Sequence, residues 1–273
     1  KGRKQKTTAL YDRFVNQGAV MGDSFGLENV LWFANNKEDA HEEPTIKRSR
    51  SHDYVSKEVI NVRENVGLIE VANFSKHEFK GPDARKFLDH IMAGRLPKPG
   101  RISLSPMLSY RGKLCGDLTV ACLDENEFMV FGSGAAQEMH RRWFESHLDK
   151  FNLSYSNRSD EYHGLSIAGP NSRKVLEKIV RDDVSNEKFK FRDSRRMFVG
   201  GVPAIINRIS FTGELGYEIY VAPHYQLKLY EELMEAGKEF NIKPFGGRAL
   251  MSMRLEKNWG AWTLDYRPDF TAK

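Results

Sequence analysis

Alternating apolar and polar positions divide most of the chain into short strands and helices. Residues 66–71 and 76–80 read as strands, and 102–110, 114–123 and 128–131 as a three-strand meander with tight turns at 111–113 and 124–127. Helical spacing marks 9–15, 55–65, 135–150, 226–237 and 248–257, and 25–33 is an aromatic-rich segment suited to packing. Strands at 202–209 and 217–221 flank the turn Ser210-Phe211-Thr212-Gly213-Glu214-Leu215-Gly216. The polar, charged run 35–53 reads as an exposed loop.

One pattern occurs twice. Strand 76–80 runs into GPDARKFLDHI at 81–91, and strand 164–168 into GPNSRKVLEKI at 169–179. Glycine, proline, arginine, lysine, leucine and isoleucine recur in register. Proline at a helix start fixes φ and gives up an N–H that would be orphaned there anyway. Two copies are too few for a solenoid. The expectation is an α+β fold of internally duplicated antiparallel sheets with packed helices. Its domain spans 55–270, with half-repeats near 66–150 and 164–257. Residues 1–54 are expected as linker plus the helical and aromatic segment and its charged loop.

Composition narrows the function. With 273 residues, 40% hydrophobic and 29% charged, the chain can bury a substantial core. The net charge of +5 gathers at Lys1, Arg3, Lys4 and Lys6 and at Lys47, Arg48 and Arg50, but no nucleic-acid-binding signature accompanies it. Two cysteines, Cys115 and Cys122, without CxxC or Cys/His spacing, give no metal site and suit a reducing compartment. No stretch approaches a membrane span. There is no GxGxxG or P-loop motif, and no legible Ser-His-Asp or Cys-His nucleophile. The start at Lys1 reads as that of a cut or processed chain.

Three positions break the local pattern. Glu218 lies inside an apolar strand, Asp117 follows Gly116 in another, and Arg248 enters an apolar helix. Such breaks concentrate at functional sites. Period-2 alternation equally allows Glu218 to face solvent, and Arg248 or Arg254 to bridge Glu218 or Glu256 as a structural pair.

At this point the chain resembles a family. SFTGELGYEIYV at 210–221 is similar to the signature turn of the folate-binding aminomethyltransferases, which include the glycine cleavage T-protein. More particularly, the chain resembles the folate-binding portion of dimethylglycine and sarcosine dehydrogenases. The matching stretches are FGLENVLWFA (25–34), VGLIEVANFSKHEFKGPDA (66–84), GDLTVACL (116–123), GLSIAGPNSR (164–173), DVSN (183–186) and GGRALMSMRLEKNWGAW (246–262). The resemblance implies a tetrahydrofolate site. In it Asp117 is the catalytic acid beside the folate nitrogens, Glu218 binds the pterin amino and ring N–H groups, and Arg248 lies near the pterin carbonyl. Tyr110 and Met107 are implied as walls of the pterin slot. A pterin's donor edge suits a carboxylate, and its acceptor oxygen suits arginine.

Gly116-Asp117, where the glycine-cleavage branch carries two adjacent acids, points to the dehydrogenase branch. The implied function is capture of an iminium or formaldehyde-level carbon, derived from an N-methyl amine, as 5,10-methylenetetrahydrofolate. FAD is expected only in a flavin oxidase domain of the same full-length chain, and most of a C-terminal β-domain after 270 is expected to be missing. No metal, membrane or nucleic-acid partner is expected, and the compartment would be bacterial cytoplasm or mitochondrial matrix. The rivals are a stand-alone aminomethyl- or methyltransferase and a non-catalytic folate-binding accessory protein.

Overall fold

The chain begins with α1 (Tyr11–Asn16), the hairpin β1 (Ala19–Ser24) and β2 (Leu27–Phe33), then α2 (Ser51–Glu64) and β3 (Val66–Glu70). Next come β4 (Phe74–Lys80), α3 (Ala84–Ile91), β5 (Arg101–Leu108), β6 (Leu114–Asp124), β7 (Glu127–Ser133), α4 (Gln137–Glu145) and β8 (Ser154–Asn157). The last part holds β9 (His163–Ala168), α5 (Ser172–Ile179), β10 (Ser194–Val199), β11 (Val202–Asn207) and β12 (Gly216–Val221), followed by α6 (Gln226–Ala236), β13 (Ile242–Pro244) and α7 (Gly247–Glu256). The structure, a computed structural model, describes residues 2–262 and 264–266.

The elements fall into two compact units. The first holds the segments up to Ala72, His163–Phe191 and Met197–Trp259; the second holds Asn73–Tyr162, Arg192–Arg196 and the described residues from Gly260 on. Two principal sheets are present, ordered β10-β11-β12-β9-β3-β13 and β5-β6-β7-β4-β8. The strand orders β5-β6-β7-β4 and β10-β11-β12-β9 are the same path drawn twice. The chain order repeats as well, since β4-α3-β5-β6-β7-α4-β8 is followed by β9-α5-β10-β11-β12-α6-β13. The fold is α+β with duplicated, mainly antiparallel sheets, β13 pairing parallel with β3.

The recurring Gly-Pro explains how each copy leaves its first strand. Gly81 has φ of 136° and Gly169 has φ of 132°, a region closed to residues with a Cβ. A Cβ on Gly169 would lie 2.5 Å from the Asn65 carbonyl oxygen and 2.6 Å from that of Val62. Asp83 and Asn171 then hold the N-cap positions of α3 and α5. Asp83 stands just before the first turn of α3 and accepts the Asn152 N–H at 2.8 Å. Phe87 and Leu88 in α3, and Val175 and Leu176 in α5, are fully buried. They cover the apolar faces of the two sheets. In the first unit that face presents Leu68, Leu165, Ile167, Ile206, Tyr217 and Ile219. In the second it presents Phe79, Leu118, Val120 and Val130, with Phe144 of α4 packed on them.

Three strands escape the alternation. β8 (Ser-Tyr-Ser-Asn), β10 (Ser-Arg-Arg-Met-Phe-Val) and β13 (Ile-Lys-Pro) are too polar or too short to show a period. β1 pairs antiparallel with β2, Val20 opposite Trp32. Trp32 of β2 is fully buried, as expected of the aromatic segment.

One latch ties elements of the first unit together. Glu58 of α2 accepts the backbone N–H of Phe33, at the end of β2, at 2.7 Å on one oxygen. Its other oxygen accepts the N–H of Gly246, the N-cap of α7, at 3.0 Å. Burial raises this carboxyl from 4.5 to about 7 against the pull of those two donors.

Candidate functional site

Glu218 is the third residue of β12. Its register partners are Asn207 on β11 and Ser166 on β9, and Ser166 in turn pairs with Ile69 on β3. Asn207, Ser166 and Ile69 are buried and Glu218 is half-buried. This row lies on the face turned away from the Tyr217 and Ile219 core, since neighbouring strand residues alternate sides. Glu218 is therefore a half-buried acid on the face away from that core, beside the polar Asn207 and Ser166. Tyr220, two residues on, donates its hydroxyl to Glu218 Oε2 at 2.8 Å. Burial, and then the Glu218 charge, raise the Tyr220 pKa well above its ordinary value, so the phenol stays a donor.

The signature turn is fixed by its own side chains and by two cations. Ser210 Oγ and Thr212 Oγ1 lie 2.7 Å apart, and Thr212 Oγ1 accepts the Glu214 N–H at 3.2 Å. Arg63 donates to the Thr212 carbonyl at 3.0 Å and to the carboxylates of Glu214 at 2.7 Å and Glu256 at 2.6 Å. Glu214 is thus a structural acid joining the turn to α2. Lys257 donates to the Ser210 carbonyl at 3.0 Å; burial lowers its pKa, against the smaller opposing pull of the Glu218 charge.

Arg248, in the first turn of α7, is exposed and engaged with Glu42. Its Nε donates to Glu42 Oε1 at 3.0 Å and its Nη2 to Oε2. The Trp32 indole N–H donates to the same Oε1 at 2.6 Å. Glu42 lies in the run expected to be an exposed loop and is itself exposed; the departure comes at the end of that run, where residues 51–53 open α2 and Ser51 is buried. The arginines and Glu256 have other partners besides those considered from the sequence. Glu256 pairs with Arg63, and Arg254 donates to the Trp259 carbonyl at 3.0 Å.

In the second unit, Asp117 on β6 pairs in register with Pro106 on β5, on the face opposite Leu118 and Val120. Burial pushes its carboxyl above the ordinary aspartate value, and no described residue gives it a hydrogen bond or ion pair. Tyr110, in the turn leading to β6, is 84% exposed. Its hydroxyl donates to His147 Nε2 at 2.7 Å, because His147 Nδ1 donates to the Trp143 carbonyl at 2.7 Å. Its ring centroid lies 5.0 Å from that of Trp143. Met107 needs correction as a wall residue. It pairs with Gly116, not Asp117, and lies 0% exposed in the apolar core on the opposite face. Strand alternation decides this: one residue along the strand changes the side.

Sequence reasoning passed over Tyr220, Lys257 and Glu42. Tyr220 was within reach, since i and i+2 share a strand face. Lys257 and Glu42 carry no local signal.

The model of the GCVT N-terminal domain matches residues 10–273. The chain belongs to the GCVT N-terminal domain family. This GCVT chain is 34% identical over 268 residues to human mitochondrial dimethylglycine dehydrogenase, covering 97% of itself and 31% of the human protein. It is 31% identical over 200 residues to the aminomethyltransferase of Halothermothrix orenii, covering 72% of itself and 55% of that protein. In fold it matches glycine cleavage system aminomethyltransferase T from Bartonella henselae, with a TM-score of 0.82 at 23% identity over 98% of the GCVT chain and 67% of that one. It therefore spans about a third of the length of its dehydrogenase relatives. Among the described residues, no helix is long and apolar enough to cross a membrane, and no group of three or more His, Cys, Asp or Glu could hold a metal ion.

Proposed function

We propose that this chain is the tetrahydrofolate-binding, one-carbon-accepting part of a dimethylglycine/sarcosine dehydrogenase-type enzyme. The observation that carries the reading is Asp117, a carboxyl held above its ordinary pKa with no partner among the described residues. An acid left unpaired in a strand is costly unless a ligand completes it. The donor set suits a reduced pterin: Glu218 accepts from its amino and ring N–H edge, and Arg248 donates to its carbonyl oxygen. Tyr110 offers an exposed ring for stacking. Bound tetrahydrofolate would supply the nitrogen nucleophile that takes the one-carbon unit. Asp117 would orient that nitrogen, hold or release a proton at its carboxyl, and stabilise cationic character beside it. Arg248 must leave Glu42 to meet the ligand.

In this reading the oxidation that generates the carbon belongs to a flavin oxidase domain of a longer chain. Similarity to human dimethylglycine dehydrogenase along 97% of this chain supports that branch. A reducing compartment, mitochondrial matrix or bacterial cytoplasm, fits the two free thiols. The second reading is a stand-alone aminomethyltransferase, favoured by the fold match over 98% of the chain. Flavin absorbance co-purifying with the natural full-length protein separates the two.

Calorimetry with tetrahydrofolate tests the binding claim. Glu218→Ala should weaken binding about 10–100-fold, the range of one or two charge-assisted hydrogen bonds. Glu214→Ala, which loses only Arg63, should bind as the unaltered chain does. Equal affinity of Glu218→Ala and the unaltered chain would sink the assignment.

A further inference from the structure

β6 carries a bulge immediately before Asp117. Met107 pairs with Gly116 and Leu108 with Leu114, so Cys115 is the extra residue with no register partner on β5, though its Sγ donates to the Met107 carbonyl at 3.3 Å. A bulge bends its strand and re-aims the side chains that follow. The Cys115 carbonyl accepts from His140 Nε2 at 3.1 Å. His140 is on α4, is 0% exposed, and reaches the sheet from the side opposite Asp117.

The sheet is shaped to admit this ring. A Cβ on Gly116 would come within 3.0 Å of His140 Nε2, and one on Gly132 of β7 within 3.2 Å of Nδ1. Two glycines on adjacent strands thus leave the room the imidazole fills. Aromatic rings hold it there, with centroids of Trp262 at 5.4 Å, His77 at 6.3 Å and Phe144 at 6.3 Å. The protonation state follows from the partner. A carbonyl only accepts, so Nε2 bears the hydrogen, and burial keeps the ring neutral by lowering its pKa. Nδ1 is then a bare acceptor and has no partner among the described residues.

We propose that His140 is a positioning residue: by holding the Cys115 carbonyl it fixes the bulge that aims the Asp117 carboxylate. The proposal deepens the reading of Asp117 above and rests on it. His140 touches no reacting atom; it acts through two residues of backbone. Losing its N–H leaves a part-buried carbonyl without that donor, which the bulge relieves by relaxing toward solvent and carrying Asp117 with it.

The test uses the folate-free chain, so its result does not depend on whether folate binds. Carbon-13 NMR titration of the aspartate carboxylates reads Asp117 directly, assigned by Asp117→Asn. His140→Phe, which keeps the ring and loses the donor, should lower the proton affinity of Asp117 about 3–10-fold, toward ordinary aspartate. His140→Gln, which restores an N–H near the Nε2 position, should return it to the unaltered titration. An unchanged Asp117 in His140→Phe overturns the proposal, and so does an equal change in both variants, which would mean the ring serves packing alone. If His140→Phe does not fold, the unaltered chain still decides. Long-range proton–nitrogen correlation should show a neutral His140 protonated at Nε2, and protonation at Nδ1 overturns the proposal.

Discussion

Replacing Glu58 with glutamine isolates the latch between α2, β2 and α7. In the folded chain this carboxyl titrates near 7, against 4.5 ordinarily, because burial outweighs the N–H bonds from Gly246 and Phe33. A folded-state value above the unfolded one means the native state prefers the proton. The associated stability is fully present below about pH 4.5 and is lost as pH rises through about 7. Between about pH 5 and pH 8 the loss amounts to about 2–3 kcal/mol. Glu58→Gln cannot ionise, so that pH-dependent loss should vanish. The amide retains one acceptor oxygen and turns an N–H₂ toward the second backbone donor, a pH-independent cost of about 1–3 kcal/mol. The variant should therefore be the weaker protein near pH 5 and close to or above the unaltered chain near pH 8. Urea unfolding of both proteins at the two pH values measures this, with the difference between them as the quantity of interest. A difference that stays constant from pH 5 to pH 8 would refute the reasoning, because it would place the Glu58 titration outside that window or leave it unchanged on folding.

Other outcomes follow from named contacts. Gly169→Ala combines a forbidden φ with contacts of 2.5–2.6 Å to two backbone carbonyls, and should cost more than about 3 kcal/mol in thermal unfolding. Gly201→Ala meets nothing within 4 Å at φ of 77° and should cost only about 1–2 kcal/mol. Glu42→Gln breaks a pair between two partly exposed side chains, so stability should change by less than about 1 kcal/mol. If Arg248 must leave Glu42 to bind ligand, tetrahydrofolate should associate with Glu42→Gln at least as tightly as with the unaltered chain, measured by calorimetry. Leu118→Ala, in the fully buried core of the second unit, should cost about 2–5 kcal/mol in the same unfolding assay.

The repeated Gly-Pro was the most legible feature of the sequence, because one backbone requirement recurs with the same residues behind it. The meander β5-β6-β7 was equally open to reading, since its strands alternate and its turns are short. β8, β10 and β13 were not: their pairing is a property of the sheet they join, and few of their own residues advertise it. At the candidate site, pattern breaks singled out Asp117, Glu218 and Arg248, and family resemblance gave them roles. Face assignment was harder. Met107 and Pro106 are neighbours in sequence, yet only the register shows which of them shares a side with Asp117. The bulge at Cys115 was likewise invisible, because a single extra residue leaves the apolar pattern of β6 nearly intact. The partners of Glu42, Arg248 and Trp32, were hidden because a charge in such a run gives no sign of what it pairs with.

The path of β3 has a consequence for how the chain is made. This strand lies between β9 and β13, and its antiparallel partner Ile167 is nearly a hundred residues downstream of Leu68. On a ribosome, β4 through β8 emerge together and can pair as soon as they are released, whereas β3 waits with both edges open. Such a delay exposes unpaired N–H and C=O groups on an apolar strand, a known route to off-pathway association. Slowing translation after residue 162 should therefore lower soluble yield, while slowing it within 74–157 should matter little.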